Sequence, residues 1–358
     1  MLSKLSRRLA PALAASTLFA LTAPAAAQRI ELQADVVAYG WSSGVQTAHV
    51  IRVEGAQSLR LRLEGTQLAP GSMLRITSLA DGARQHLNAT TIGQWRHSSA
   101  YFNGPAVKVE LLAAEGSRVD RVHVNTVIAT RRSAGPESQC GATDDRVASN
   151  VDNRARLLQM GCTANLTVDG CFITAGHCLD VSGPNDVVEF NVPLSNSNGS
   201  LNHPPPSDQY MPTSNSQFAA DGLGNDWGVF TVFPNTETGL TPLQAQGPGL
   251  EFSPTVPKRR NVVEIIGYGV DTGSANQTQQ YSSGAVKQVS SSSNVLKYAA
   301  DTEGGNSGSA VLVGGRVVAI HTNGGCRTSG TGANSGTLIG NSAFQAAYAA
   351  VCGAPVRP

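Results

Sequence analysis

Residues 161–178 read GCTANLTVDGCFITAGHC, a run that reads as a strand and ends at His177 with Cys178 beside it. Cys162 lies 16 residues before Cys178, a separation at which two adjacent strands can be stapled next to the histidine. A lone histidine in such a place is most often structural. Two further stretches give it another reading: NDW at 225–227, where Asp226 leads a strand, and DTEGGNSGS at 301–309, where Ser307 sits in a glycine-rich turn.

These three residue types meet a chemical need together. A serine hydroxyl is almost wholly protonated at neutral pH, so a neutral imidazole has to take its proton, and a carboxylate has to hold that imidazole in one tautomer and stabilise the imidazolium. His177, Asp226 and Ser307 fit those roles for hydrolysis of a peptide bond. Backbone N–H groups of Gly305 and Ser307 are placed by the same turn to face a developing oxyanion, and glycine at 305 adopts the required backbone without a Cβ penalty.

Outward from this centre the chain is strand-rich: VVEFNV at 187–192, DWGVFTVF at 226–233, NVVEIIGYGV at 261–270 and SAVLVGGRVVAIHT at 309–322. The segments 193–217 and 271–294, rich in Ser, Asn, Gly and Pro, read as polar loops, and NSAFQAAYAAVC at 341–352 reads as a helix closing the domain. Gly314-Gly315 is a two-residue hairpin signal. Pairing Val313 with Arg316 continues to Gly308 opposite His321, which brings that histidine to the side of Ser307.

Upstream, AHVIRVEG, SLRLRLEG, SMLRITSL, VKVELLAA and RVHVNTVIA alternate with period two between glycine turns, with Leu59, Leu61 and Leu63 on one face and Arg60, Arg62 and Glu64 on the other. Residues 28–132 are therefore expected to form a β-sandwich, and 133–139 a linker, ahead of an all-β domain at 140–358. Arg131 and Arg132 make the joint an attractive processing site, with the sandwich as an intramolecular pro-domain or accessory. Trp41, Trp95 and Tyr101 are candidates for a sugar platform in an exported binding module, against the commoner core role of aromatics in β domains.

Residues 1–27 carry Lys4, Arg7 and Arg8, an apolar Leu/Ala/Phe run and APAAA before Gln28, the pattern of a secretory signal. No stretch is apolar over the roughly 20 residues that a membrane span needs. Export suits the six cysteines, all within 140–352, whose even number points to disulfides. None of the seven histidines forms a His-Glu-x-x-His helix or joins a Cys-x-x-Cys pair, so neither metal nor another cofactor is implied. Lys plus Arg is 26 against 25 for Asp plus Glu, which suggests no nucleic-acid partner. Residues 28–132 carry 12 basic and 8 acidic groups, and 133–358 carry 11 and 17, opposite signs that favour mutual docking.

The order TAGHC, strand-leading Asp and GNSGS resembles the chymotrypsin-like (trypsin-fold) serine endopeptidases over about residues 140–352. The resemblance implies two six-stranded β-barrels meeting at the active site, protein or peptide substrates, and a Cys162–Cys178 bridge around the histidine. For the other four cysteines, proximity in sequence favours Cys140–Cys171 and Cys326–Cys352 among three pairings. Asn306 departs from the trypsins, which have an aspartate there to receive a new N-terminus. DTEGGNSGS with AIHTNGG at 319–325 looks like the bacterial glutamyl endopeptidases (the V8-like subgroup), whose pocket threonine and histidine fall at Thr302 and His321. Against that preference for Glu or Asp stands Asp301, at the position where trypsins carry the aspartate that selects Lys or Arg. An esterase is disfavoured, because GNSGS lacks the Gly-x-Ser-x-Gly elbow of the α/β-hydrolases.

Overall fold

The computed structural model describes residues 15–19, 30–39, 44–130, 137–158, 161–180, 187–354 and 356. Trp41, Arg131 and Arg132 lie outside the described residues, as does most of the segment read as a secretory signal. No helix among the described residues is long and apolar enough to cross a membrane.

The alternating N-terminal strands build two sheets. One runs in the order Ala15–Phe19, Gly44–Val53, Ala106–Ala113, Met73–Ser78 and Arg84–Leu87, and the other in the order Ile30–Tyr39, Arg121–Thr130, Ser58–Arg62 and Phe102–Asn103. Leu59, Leu61 and Leu63 are fully buried between the sheets, as period two requires. Arg60 departs from the expected outward polar face, being itself fully buried. Its guanidinium donates to the Ser99 carbonyl and Ser98 Oγ and lies 5.2 Å from the centre of the Tyr101 ring. Trp95 and Tyr101 are also buried, so neither offers an exposed sugar platform.

Downstream, seven strands form a curled sheet in the order Gln209–Tyr210, Val187–Glu189, Arg154–Leu158, Cys162–Leu166, Phe172–Thr174, Asp226–Val232 and Pro212–Ala220. Six more close into a barrel: Gln280–Ser290, Val262–Gly267, Ala310–Val313, Arg316–Asn323, Asn334–Leu338 and Val295–Tyr298, the last pairing back to the first. The architecture is thus mostly β, a half-barrel and a closed barrel in the trypsin-like arrangement. Each has its own apolar core, and a third cluster joins them through Ile173, Trp227 and Val229 from one side and Ala310, Leu312 and Ile320 from the other.

Part of each segment read as a polar loop is strand instead: 193–217 ends inside the strand Pro212–Ala220, and 271–294 contains Gln280–Ser290. The first half of the latter, 280–285, pairs with Val262–Gly267 and its second half, 286–290, with Val295–Tyr298, so backbone pairing holds a Ser- and Gln-rich run extended despite its weak propensity. The helix Ser342–Cys352 is present, capped by Asn341 Oδ1 accepting from the Ala343 and Phe344 N–H groups and ended by Gly353 in the left-handed region. Rather than closing its own barrel, it seats Phe344, Tyr348 and Val351 in the cluster between the two sheets.

The cysteine pairing follows this spatial arrangement. Cys162–Cys178 is bonded, whereas Cys140–Cys171 and Cys326–Cys352 are replaced by Cys140–Cys326 and Cys171–Cys352. Proximity in sequence misled because strand pairing across the chain decides which ends meet. Glu137–Ser138 pairs with Thr302–Glu303, which carries Cys140 to the second barrel. The C-terminal helix crosses to the turn at Cys171.

Candidate active site

The sequence AGHC bends immediately after Thr174, because Gly176 packs where a Cβ would overlap the Ala219 carbonyl and approach the Trp227 carbonyl at 2.8 Å. The next residue, His177, opens a short helical turn at the seam of the two sheets. Asp226, the first residue of its strand and 4% exposed, grips it twice. Asp226 Oδ1 accepts from the His177 backbone N–H at 3.0 Å, and Oδ2 lies 2.6 Å from His177 Nδ1. The carboxylate thereby selects the tautomer with a proton on Nδ1, which leaves the Nε2 lone pair free. Cys162, His177 and Cys178 converge within 4.8 Å, but both sulfurs are spent in the disulfide, so the cluster holds no thiolate for a metal.

Ser307 comes from the opposite barrel, in a loop braced on every side. The Thr163 N–H donates to the Ser307 carbonyl at 2.9 Å, and Thr163 Oγ1 donates to the Gly305 carbonyl. Asn165 Nδ2 donates to the Gly308 carbonyl at 2.7 Å while its Oδ1 accepts from the Ala310 N–H. Asn306 closes the loop on itself: its Oδ1 accepts from the Glu303 N–H at 2.9 Å, so this buried carbonyl oxygen is satisfied without a chain terminus. Two donors stand apart, for the N–H groups of Gly305 and Ser307 have no hydrogen-bond partner among the described residues. Gly305 holds φ at 106°, and a Cβ there would overlap the Tyr268 carbonyl, so glycine is required.

The Ser307 carbonyl lies 3.8 Å from Cys178 Sγ, so the Ser307 loop and the His177 turn share one seam. Ser307 and His177 are not hydrogen-bonded to each other in this structure. Such contacts are commonly loose until substrate is bound.

Beside Ser307 opens a pocket of about 420 Å³ lined by Ser138, Thr302, Glu303, Gly304, Ser307, His321 and 324–326. The hairpin register explains part of it. Val313 faces Arg316 as expected, but an irregularity between Val311 and Leu312 shifts the pairing by one residue. His321 therefore donates its N–H to the Ser309 carbonyl, while its own carbonyl still accepts from Gly308. The histidine reaches the pocket all the same.

The pocket polar groups are set as donors by residues behind them. Tyr298, fully buried, places its hydroxyl 2.6 Å from His321 Nδ1, and this is its only hydrogen-bond partner among the described residues. Burial holds the phenol pKa well above its ordinary value, so the phenol keeps its proton and has one acceptor to give it to. Nδ1 accepts, and the proton of a neutral His321 sits on Nε2. Burial pushes the His321 pKa down to about 4, with a smaller contribution from nearby His177, against opposing effects of the Ser335 carbonyl and Asp226. Asn334, also fully buried, is oriented by the Gly325 and Cys326 N–H groups on its Oδ1, and its Nδ2 donates to Thr302 Oγ1 at 2.9 Å. With a lone pair thus engaged, the Thr302 hydroxyl has its hydrogen to offer.

Asp301 corrects an expectation. Its carboxylate does not line the pocket: Oδ1 accepts from the Cys140 N–H at 2.6 Å and Oδ2 from the Asp145 N–H at 2.7 Å. The carboxylate anchors the start of the domain, whose amides fill its lone pairs. Among the described residues Glu303 is the one acidic group bordering the pocket, and its Oε1 accepts from the Ser138 N–H at 3.0 Å. Sequence reasoning missed Tyr298, Asn334 and Asn165. Asn165 and Asn334 carry no local signal, since their partners are 143 and 32 residues away.

Residues 163–320 match the family described as "Trypsin-like peptidase domain". No curated protein matches the chain. Among solved structures, protease Anisep from Arthrobacter nicotinovorans is similar at 16% identity and a TM-score of 0.45, over 58% of this chain and 99% of that one. A Glu endopeptidase in complex with MPD is similar at 19% identity and 0.44, over 58% and 96%. A thermostable serine protease, AL20, from an extremophilic microorganism is similar at 18% identity and 0.42, over 56% and 97%.

Proposed function

We propose that the trypsin-like serine endopeptidase domain of this chain uses Ser307 as nucleophile, His177 as general base and Asp226 to hold the imidazole, and cuts after acidic residues. The observation that carries the triad is the double grip of Asp226 on His177, Nδ1 at 2.6 Å and backbone N–H at 3.0 Å, across the seam from a loop with two unpaired N–H donors. In this reading His177 Nε2 takes the Ser307 hydroxyl proton as Oγ bonds to the scissile carbonyl carbon. The N–H groups of Gly305 and Ser307 receive the oxyanion. The C–N bond then breaks, the imidazolium gives its proton to the leaving amine, and water hydrolyses the acyl ester by the same steps reversed.

The preference for Glu or Asp follows from the donor setting of the pocket. A carboxylate accepts from the Thr302 hydroxyl and from His321 Nε2–H, and once bound it raises the His321 pKa. The Lys/Arg reading through Asp301 loses its support, because backbone amides occupy that carboxylate. Glu303 at the pocket border favours a second reading, a basic P1 residue, weakened by its bond to the Ser138 N–H.

We also take the chain to be exported and made as a precursor cut near residues 131–139. Three disulfides suit an oxidising compartment. The test is a mixed peptide library, with cut bonds mapped by mass spectrometry and Ser307→Ala as control. Cuts after Glu that vanish in the variant support the whole reading. Cuts after Arg or Lys transfer the pocket role to Glu303, and undiminished cutting by Ser307→Ala removes the nucleophile assignment.

A further inference from the structure

The segment 193–217, read from its composition as a polar surface loop, is in large part an interface. The N-terminal sandwich sits on it. The Gln209 side chain bonds the Tyr101 backbone on both sides, accepting from its N–H and donating to its carbonyl, each at 2.9 Å and buried. The Tyr101 ring stacks on His203 at 4.7 Å with an angle of 10° between planes. Asn103 exchanges two hydrogen bonds with the backbone of His203. At the rim, Arg96 donates to the Pro212 and Thr213 carbonyls, and Glu237 accepts from the His86 N–H at 2.6 Å while its other oxygen lies 2.8 Å from His86 Nδ1.

Two features of this contact differ from a dissociable lid. Leu158, Val187 and Met211 of the half-barrel belong to the same apolar cluster as the sandwich core and are at most 6% exposed, so separation would bare the end of a core rather than a polar surface. Beneath Tyr101 lies a fully buried ion pair, Arg156 with Glu189, extended by His203 Nδ1 to Glu189 Oε1 at 2.8 Å. Water reaching these charges on one side would alter a network that the sandwich roofs. None of the described sandwich residues lines the pocket beside Ser307.

We propose that the sandwich is a permanent non-covalent subunit of the protease. It stays docked on the half-barrel after the linker is cut, supports that half-barrel, and leaves the active site open. It is neither a released propeptide nor a steric inhibitor. No cysteine precedes Cys140, so no disulfide can tether the two pieces and any retention is due to this surface.

The test uses the full chain carrying Ser307→Ala, cut by trypsin at Arg131 or Arg132, and gel filtration under native conditions. The two fragments are expected to elute together at the volume of the uncut chain and to separate only in denaturant; separate elution under native conditions overturns the proposal. A double variant, His86→Ala with Arg96→Ala, removes rim bonds while sparing both cores. It is expected to speed fragment dissociation at least tenfold, and an unchanged rate counts against this surface as the attachment. For the open site, the cut Ser307 protein is treated with a serine-directed phosphonate: labelling of the co-eluting complex supports it, and labelling only after the sandwich is stripped off overturns it. Absence of labelling in both forms would instead sink the nucleophile assignment, and the elution result would stand apart from it.

Discussion

Replacing Tyr298 by Phe tests the donor setting of the pocket with the smallest possible change. The ring is retained, and the only group lost is a hydroxyl whose single partner is His321 Nδ1 at 2.6 Å. Without it, Nδ1 either stays a buried acceptor with no donor, at a cost of about 1–3 kcal/mol, or takes the proton itself. Both courses leave Nδ1 without a partner, but with no phenol to hold the proton on Nε2 the ring is free to carry it on Nδ1 and turn the Nε2 lone pair to the pocket. A substrate carboxylate would then meet a lone pair instead of an N–H. A hydrogen bond to a charged group contributes about 1.5–3 kcal/mol, and about 1.4 kcal/mol corresponds to tenfold, so kcat/KM for a peptide with Glu at P1 is expected to fall roughly 10- to 150-fold.

The assay pairs that substrate with a small phosphonate lacking a P1 side chain, which reports Ser307 and His177 alone. Its rate is expected to stay within about twofold of wild type, as the catalytic step is not touched. A pH profile separates positioning from general damage. In the variant, protonation of His321 restores a donor, so the Glu-specific loss should shrink as pH falls toward 5, whereas a packing defect would persist at every pH. A loss under threefold on Glu, or an equal loss with the phosphonate, would refute the reasoning.

Asp226→Asn should lower kcat about 10⁴-fold with KM little changed, since the amide sets the wrong tautomer on His177; steady-state kinetics with a Glu peptide checks it. His321→Gln should make the protein more acid-resistant than the wild type in urea titrations. The His321 pKa is depressed in the fold to about 4, so between pH 6.5 and 4 the unfolded chain takes up a proton that the fold refuses, and the wild type loses up to ~3 kcal/mol that the variant keeps. Cys171→Ser with Cys352→Ser opens a link between residues 181 apart and should cost about 2–5 kcal/mol, read as a lowered urea midpoint with Ser307 reactivity retained at low temperature. Asn165→Ala leaves the Gly308 carbonyl and the Ala310 N–H without partners at the nucleophile loop; phosphonate reactivity should drop at least tenfold at unchanged P1 preference.

Period-two alternation was legible wherever one face of a strand met a core, as at Leu59, Leu61 and Leu63, and helical spacing was legible at Phe344, Tyr348 and Val351. Both are local signals. The three residues proposed as a triad carry local signals as well, because His177, Asp226 and Ser307 each sit at the end of a strand or in a glycine turn with its own short motif. What stayed hidden depends on pairs far apart in the chain. The polar strand Gln280–Ser290 is held by one strand along its first half and another along its second, and Arg60, patterned for solvent, is buried under Tyr101 near Met211.

The pocket shows the same division at the level of single atoms. Thr302 and His321 could be placed by motif and hairpin register, but whether each donates or accepts is decided by Asn334 and Tyr298, which reach them from other strands. Asp301 is the sharper case. A carboxylate near the nucleophile reads equally as a pocket floor or as an anchor, and the choice is made by the amides of Cys140 and Asp145, brought in by the Glu137–Ser138 strand. That strand also supplies Ser138 to the pocket wall, so the start of the described C-terminal domain and the pocket beside Ser307 are one structure. Removing Ser138 would therefore alter the wall of the pocket beside Ser307.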